Sequence, residues 1–76
     1  KTMAKGYNGY PSWNAWNVSL WINNDEDLYN FARDTVIEKG YVRGLKVLTK
    51  HWRGAKTKDG AEFNRRSIKL AIEDIV

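Results

Sequence analysis

Eight of the ten aromatic residues fall in the first 41 positions, and they crowd most tightly between Trp13 and Trp21. Trp13, Trp16, Asn17, Leu20 and Asn24 recur at three- and four-residue spacing, which places them on one helical face. Val18 and Ile22 mark a second face, with Ala15 beside them. A segment that is apolar on two sides belongs largely inside a protein, and Ser12 just ahead of it has the hydroxyl to cap its first turn. The chain has 76 residues and no cysteine, so no disulfide can staple it and apolar burial must hold it together. Each aromatic side chain can bury about 150–250 Å². The first expectation is therefore a core built on Trp13, Trp16 and Leu20, with Asn17 and Asn24 satisfying backbone groups at helix ends.

The run Asn23-Asn24-Asp25-Glu26-Asp27 reads as a break and restart, with Asn24 or Asp25 as the new cap and acids suited to a helix N-terminus. Leu28, Phe31, Ala32, Thr35 and Val36 form the apolar stripe of this second helix, and Gly40 stops it after Lys39. A third helix over about 41–53 lines up Leu45, Leu48 and Trp52, with Gly54 as its stop. Lys58-Asp59-Gly60 is a turn signal, and Phe63 is placed to fold back on the core. Asn64 then caps a last helix in which Ile68, Ala71, Ile72 and Ile75 align. Residues 1–11, with Gly6, Asn8, Gly9 and Pro11, read as an irregular arm anchored through Tyr7 and Tyr10; Met3 reads as a natural start, with Lys1 and Thr2 ahead of it. The expected fold is all-α: one small domain over 12–76, made of four short helices around a tryptophan-rich core, with no internal repeat.

Several functions are disfavoured by what the chain lacks. Without cysteine there is no thiolate ligand or cysteine nucleophile, and the single histidine, His51, cannot build a multi-histidine metal site. The acidic triplet Asp25-Glu26-Asp27 lacks the alternating ligands, glycine and later Glu of a calcium loop. No apolar run reaches the roughly 20 residues of a membrane span, and no signal peptide is visible. His51 has no Ser or carboxylate partner close in sequence and reads as a surface or boundary residue. The expectation is a non-enzymatic protein without cofactor or metal, acting in a cytoplasm.

Charge gives the positive signal. Residues 1–38 sum to −2 and residues 39–76 to +6, within a total of +4. Arg43, Lys46, Lys50 and Arg53 follow at i, i+3, i+7 and i+10, along the side of the third helix away from Leu45, Leu48 and Trp52. Lys56 and Lys58 extend this patch through the loop, and Arg65, Arg66 and Lys69 can join it from the last helix. Seven cations between positions 39 and 58, with no acid among them, repel one another. Keeping them together suits a surface that meets phosphates or an acidic protein, although a solvated helix face carries similar residues. Four tryptophans also raise the prospect of an exposed aromatic anchor for a partner. A helix-turn-helix is disfavoured: Gly54–Phe63 is too long for its turn, and the last helix has no base-reading Asn or Gln beyond its cap.

Trp13-Asn14-Ala15-Trp16-Asn17-Val18-Ser19-Leu20-Trp21-Ile22-Asn23-Asn24-Asp25-Glu26, followed by Leu28-Tyr29, resembles a family of small uncharacterised proteins of bacteriophages, plasmids and bacterial genomes. That family's mark is W-N-x-W-N-V-x-L-W-I-x-N-D-E-x-L-Y. The Thr57-Lys58-Asp59-Gly60 segment is similar to its second half, while Asp27 stands where a glycine or small residue is expected. The resemblance implies a helical domain of mobile-element origin, at work in the host cell cytoplasm if phage-encoded, and implies no reaction. With the charge pattern it leads to one expected function. The expected chain is an accessory protein that binds a host or defence macromolecular complex, protein or nucleoprotein, in the manner of an anti-CRISPR-like inhibitor. The expected contact residues are Arg43, Lys46, Lys50, Arg53, Lys56, Lys58, Arg65 and Arg66. The alternatives are a nucleic-acid-binding domain using the same face, and a homo-oligomer pairing an aromatic surface.

Overall fold

A computed structural model describes residues 9–73 and 75, so most of the arm expected over 1–11 lies outside the described residues. Four helices occur where the pattern places them: α1 (Trp13–Asn24), α2 (Glu26–Lys39), α3 (Tyr41–His51) and α4 (Arg65–Glu73). Their ends follow from local chemistry. The Ser12 hydroxyl accepts from the Ala15 N–H at 3.2 Å and opens α1. Asp25 serves two helices at once: its N–H donates to the Trp21 carbonyl at 3.0 Å, and its carboxylate accepts from the Leu28 N–H at 3.0 Å. Glu26 and Asp27 in the first turn of α2 complement its dipole. Gly40 has φ +86°, a conformation glycine adopts without strain, and donates to the Val36 carbonyl at 2.8 Å to end α2. Asn64 opens α4, its Oδ1 accepting from the Ser67 N–H at 2.9 Å.

The helices form a ring in which α1 packs chiefly on α4 and α2 on α3, closed by α1–α2 and α3–α4 contacts. Their shared interior holds Val18 and Ile22, Ala32 and Val36, Leu45, Leu48 and Trp52, and Ile68, Ala71 and Ile72. Ala61 and Phe63 of the α3–α4 connection complete it, with Leu28, Tyr41 and Ile75 packed at its edge. An aromatic cluster runs along one side. The Phe63 ring centroid lies 5.1 Å from that of Trp52, and Phe31 stands 5.7 Å from Trp52 and 4.6 Å from His51. His51 is exposed, a boundary residue leaning on Phe31.

The expected core face of α1 is corrected. Trp13 and Leu20 are each 37% exposed and Trp16 is half-buried, whereas Ala15, Val18, Ser19 and Ile22 are buried. These four also fit a helical stripe, at i, i+3, i+4 and i+7; Val18 and Ile22 join the core cluster that holds Ile68, Ala71 and Ile72 of α4, and the Ser19 hydroxyl pairs with the Tyr10 hydroxyl at 2.8 Å. Indole rings at that seam would hold the helices apart, so α1 carries its tryptophans on its flanks. Close approach also governs α2 against α3: a Cβ on Gly44 would stand 3.0 Å from the Val36 Cα and 3.2 Å from its Cγ2.

Candidate functional site

The α3–α4 connection is a built structure rather than a slack loop. The Thr57 N–H donates to the Ala61 carbonyl at 2.8 Å, and the Phe63 N–H to the Ala55 carbonyl at 3.1 Å, pairing its two arms in antiparallel fashion. An isolated bridge joins Lys56 and Glu62 between them, and the Gly60 N–H returns to the Thr57 carbonyl at 2.9 Å, with Gly60 at φ +98°. Two asparagines of α1 fasten this hairpin. The Asn14 amide accepts from the Glu62 N–H and donates to the Glu62 carbonyl, both at 2.8 Å, as a paired strand would; it also donates to the Ser67 Oγ at 2.8 Å.

Asn17, expected to serve a helix end, instead holds the turn. Its Oδ1 accepts from the Thr57 hydroxyl at 2.6 Å, and its Nδ2 donates to Asp59 Oδ2 at 2.9 Å. The same carboxylate oxygen accepts from the Trp21 indole N–H at 3.2 Å. These bonds, Asn17's first and Trp21's second, hold the Asp59 carboxyl below the usual carboxylate range.

This scaffold sets out the cations. Arg43, Lys46 and Lys50 project from α3, Arg53 from the turn after it, Lys56 and Lys58 from the hairpin, and Arg65 and Arg66 from the first turn of α4; all eight are exposed. Ion pairs among the described residues join Arg33 to Asp34 and Lys69 to Glu73, and the eight take part in neither. Lys69 is the exception to the expected patch. Its ammonium sits 2.8 Å from Glu73, whose hydrogen bond and charge raise its pKa, while Lys69 in turn lowers that of Glu73. Tyr41 donates to the same Glu73 oxygen at 3.2 Å; its pKa is raised by burial first and by the Glu73 charge second. Arg65 and Arg66 lie at the positive end of α4, a placement that works against the helix dipole by about 0.3–1 kcal/mol each.

The structure divides six of these cations among three clefts. Arg43 and Lys46 line the largest, about 630 Å³, with Lys39, Tyr41 and Val42. Arg53 and Arg65, from separate elements, line a second of about 260 Å³ with Thr49, Glu62 and Asn64. Lys56 and Lys58 line a third, also about 260 Å³, over Trp21, Leu28, Trp52 and Phe63. Ala55 and Phe63 line both smaller clefts, so the two adjoin there. None of the three includes Lys50 or Arg66.

Two features escaped the sequence pattern. Val42, 75% exposed beside Arg43, had a misleading signal: three residues before Leu45, its spacing extends the Leu45–Leu48–Trp52 stripe. The aromatic floor under Lys56 and Lys58 had none, because α1, α2, the end of α3 and the hairpin each supply part of it. Among the described residues no three His, Cys, Asp or Glu side chains stand together to hold a metal ion. No helix among them is long and apolar enough to cross a membrane.

No curated protein and no solved structure matches the chain. One family model does, over residues 3–76: Family of unknown function (DUF7249). The chain belongs to that family.

Proposed function

We propose, taking that membership as the premise, that the chain is a non-enzymatic accessory protein of mobile-element type. It acts by stoichiometric binding, docking its basic α3 face on an acidic surface of a host or defence complex, as an anti-CRISPR-like inhibitor does. The mobile-element part rests on the resemblance of the Trp13–Tyr29 segment. One observation carries the choice of a protein partner: the α3 cleft combines unpaired cations with a protruding apolar side chain. Val42 is 75% exposed and shares its cleft with Lys39, Arg43 and Lys46. An apolar anchor ringed by charge suits a protein interface, where a desolvated centre supplies affinity and the charged rim supplies steering and specificity. A phosphate backbone would use the cations and leave Val42 idle.

The test is a quantitative pull-down from host lysate with the wild-type chain, Arg43→Glu/Lys46→Glu/Lys50→Glu and Val42→Ser. All four side chains are exposed, so each variant keeps the wild-type circular dichroism spectrum. The expected result is loss of one saturable partner by both variants. Capture that only the charge variant loses, and that falls steeply with salt and with nuclease treatment, assigns the α3 face to nucleic acid instead. Undiminished capture by both variants removes the face from the function.

A further inference from the structure

Lys56 and Lys58 line the third cleft together with Trp21, Trp52 and Phe63; Trp21 is half-buried and presents the accessible ring, while Trp52 and Phe63 are buried. Its volume of about 260 Å³ is just below the ~300–1,000 Å³ of pockets for drug-sized molecules, a space for one planar ring rather than a folded ligand. Lys58 Nζ lies 5.9 Å from the Trp21 ring centroid, at the outer reach of a cation–π contact, so a cation already sits where a ring-bearing anion would enter. The Trp21 indole N–H is occupied by Asp59, which leaves the ring as a stacking surface with no donor to select one base over another. Past Ala55 and Phe63, the adjoining cleft adds Arg53 and Arg65.

We propose that this pair of clefts binds single-stranded nucleic acid. One base lies against Trp21, with the mostly buried Trp52 and Phe63 lining the cleft behind it, and phosphates on either side meet Lys56 and Lys58 in one cleft and Arg53 and Arg65 in the next. Flanking cations with an aromatic platform are the two elements of sequence-tolerant single-strand binding. A duplex keeps its bases stacked inside and offers this floor nothing. Two acids adjoin the track: Glu62 lines the arginine cleft, and Asp59 has its Oδ2 engaged by Asn17 and Trp21. The cations outnumber them two to one. This site goes beyond the docking face proposed for α3 and uses none of Arg43, Lys46 or Val42.

Fluorescence anisotropy with labelled oligo(dT) of about 12 nucleotides tests it, against an abasic oligomer of equal charge, a duplex of equal length and polyglutamate. The expected result is binding at low salt about 10-fold tighter to oligo(dT) than to the abasic strand, duplex or polyglutamate. Lys56→Ala/Lys58→Ala weakens oligo(dT) binding and lowers the salt slope by about 1.4, the share of two phosphates on a single strand. Trp21→Leu abolishes the preference for oligo(dT) over the abasic strand, and Arg43→Glu/Lys46→Glu, on the α3 face, leaves both intact. No binding at low salt overturns the proposal. So does equal affinity for the abasic strand or polyglutamate, or an unchanged salt slope in the double lysine variant. Should Trp21→Leu lose its fold, the lysine variant and the abasic comparison decide.

Discussion

The Thr57 hydroxyl donates to the Asn17 Oδ1 at 2.6 Å, across 40 residues of chain, and both side chains are buried. Thr57 Oγ1 also accepts from the Ala61 N–H at 3.0 Å, so one hydroxyl holds the hairpin closed and fixed to α1 together. The Asn17 side chain is correspondingly hard to replace. Asn17→Ala leaves Thr57 without its acceptor and Asp59 without its stronger donor, and is expected to cost about 1–3 kcal/mol by urea denaturation.

The two faces of α1 make opposite predictions. Ile22 is fully buried and Leu20 is not. Ile22→Ala is expected to destabilise by about 2–5 kcal/mol, most of what a domain of this size has. Leu20→Ala, with its side chain already near solvent, is expected to lose under about 1 kcal/mol. Thermal melts of the pair check the corrected core directly; equal losses would return Leu20 to the interior.

Gly44 sets the distance between α2 and α3. In an open helix, Gly→Ala would stabilise by about 1 kcal/mol. Here the added methyl meets the Val36 backbone at 3.0 Å, so the α2 backbone must give by a few tenths of an ångström within a packed seam. Gly44→Ala is therefore expected to lower stability, by about 1–3 kcal/mol, in chemical denaturation.

Acid stability reports on Asp59. Its carboxyl titrates below its ordinary value in the folded chain because the charged form accepts from Asn17 and Trp21. A depressed folded pKa contributes stability above the unfolded value, near 3.8, and that stability is lost as pH falls through the folded value. Glu73, also lowered by Lys69, titrates in the same sense. Urea midpoints measured from about pH 6 down to about pH 2 are expected to fall less for Asp59→Asn than for the wild type. Glu73→Gln supplies the second component, and parallel curves for Asp59→Asn and wild type would contradict the geometry.

Element order and helix ends were legible because each boundary is a local event. Ser12, Asp25, Gly40 and Asn64 act within four residues of themselves, and a single chain displays such chemistry openly. The face of α1 was not, because two apolar stripes compete there and the choice is made by α4, more than 40 residues away. Exposure of Arg43, Lys46, Lys50 and Arg53 was legible from periodicity. The grouping of Arg53 with Arg65 and of Lys56 with Lys58 in two adjoining clefts was not, since it depends on how the hairpin is fastened. Asn14 and Asn17 stand out in the sequence as part of a distinctive motif, but nothing local identifies Glu62, Thr57 or Asp59 as their partners.

The asparagine fastening also bears on when the chain can fold during synthesis. Asn14 finds Ser67 across 53 residues and Glu62 across 48, and the buried seam of α1 faces α4. Contacts this far apart must wait for the loop between them to close. A nascent chain halted before Asn64 carries Val18 and Ile22 with no α4 to cover them. Folding of this unit therefore waits until α4 has been made. Until α4 leaves the ribosome, the tryptophan-bearing segment is an open apolar surface available to a chaperone.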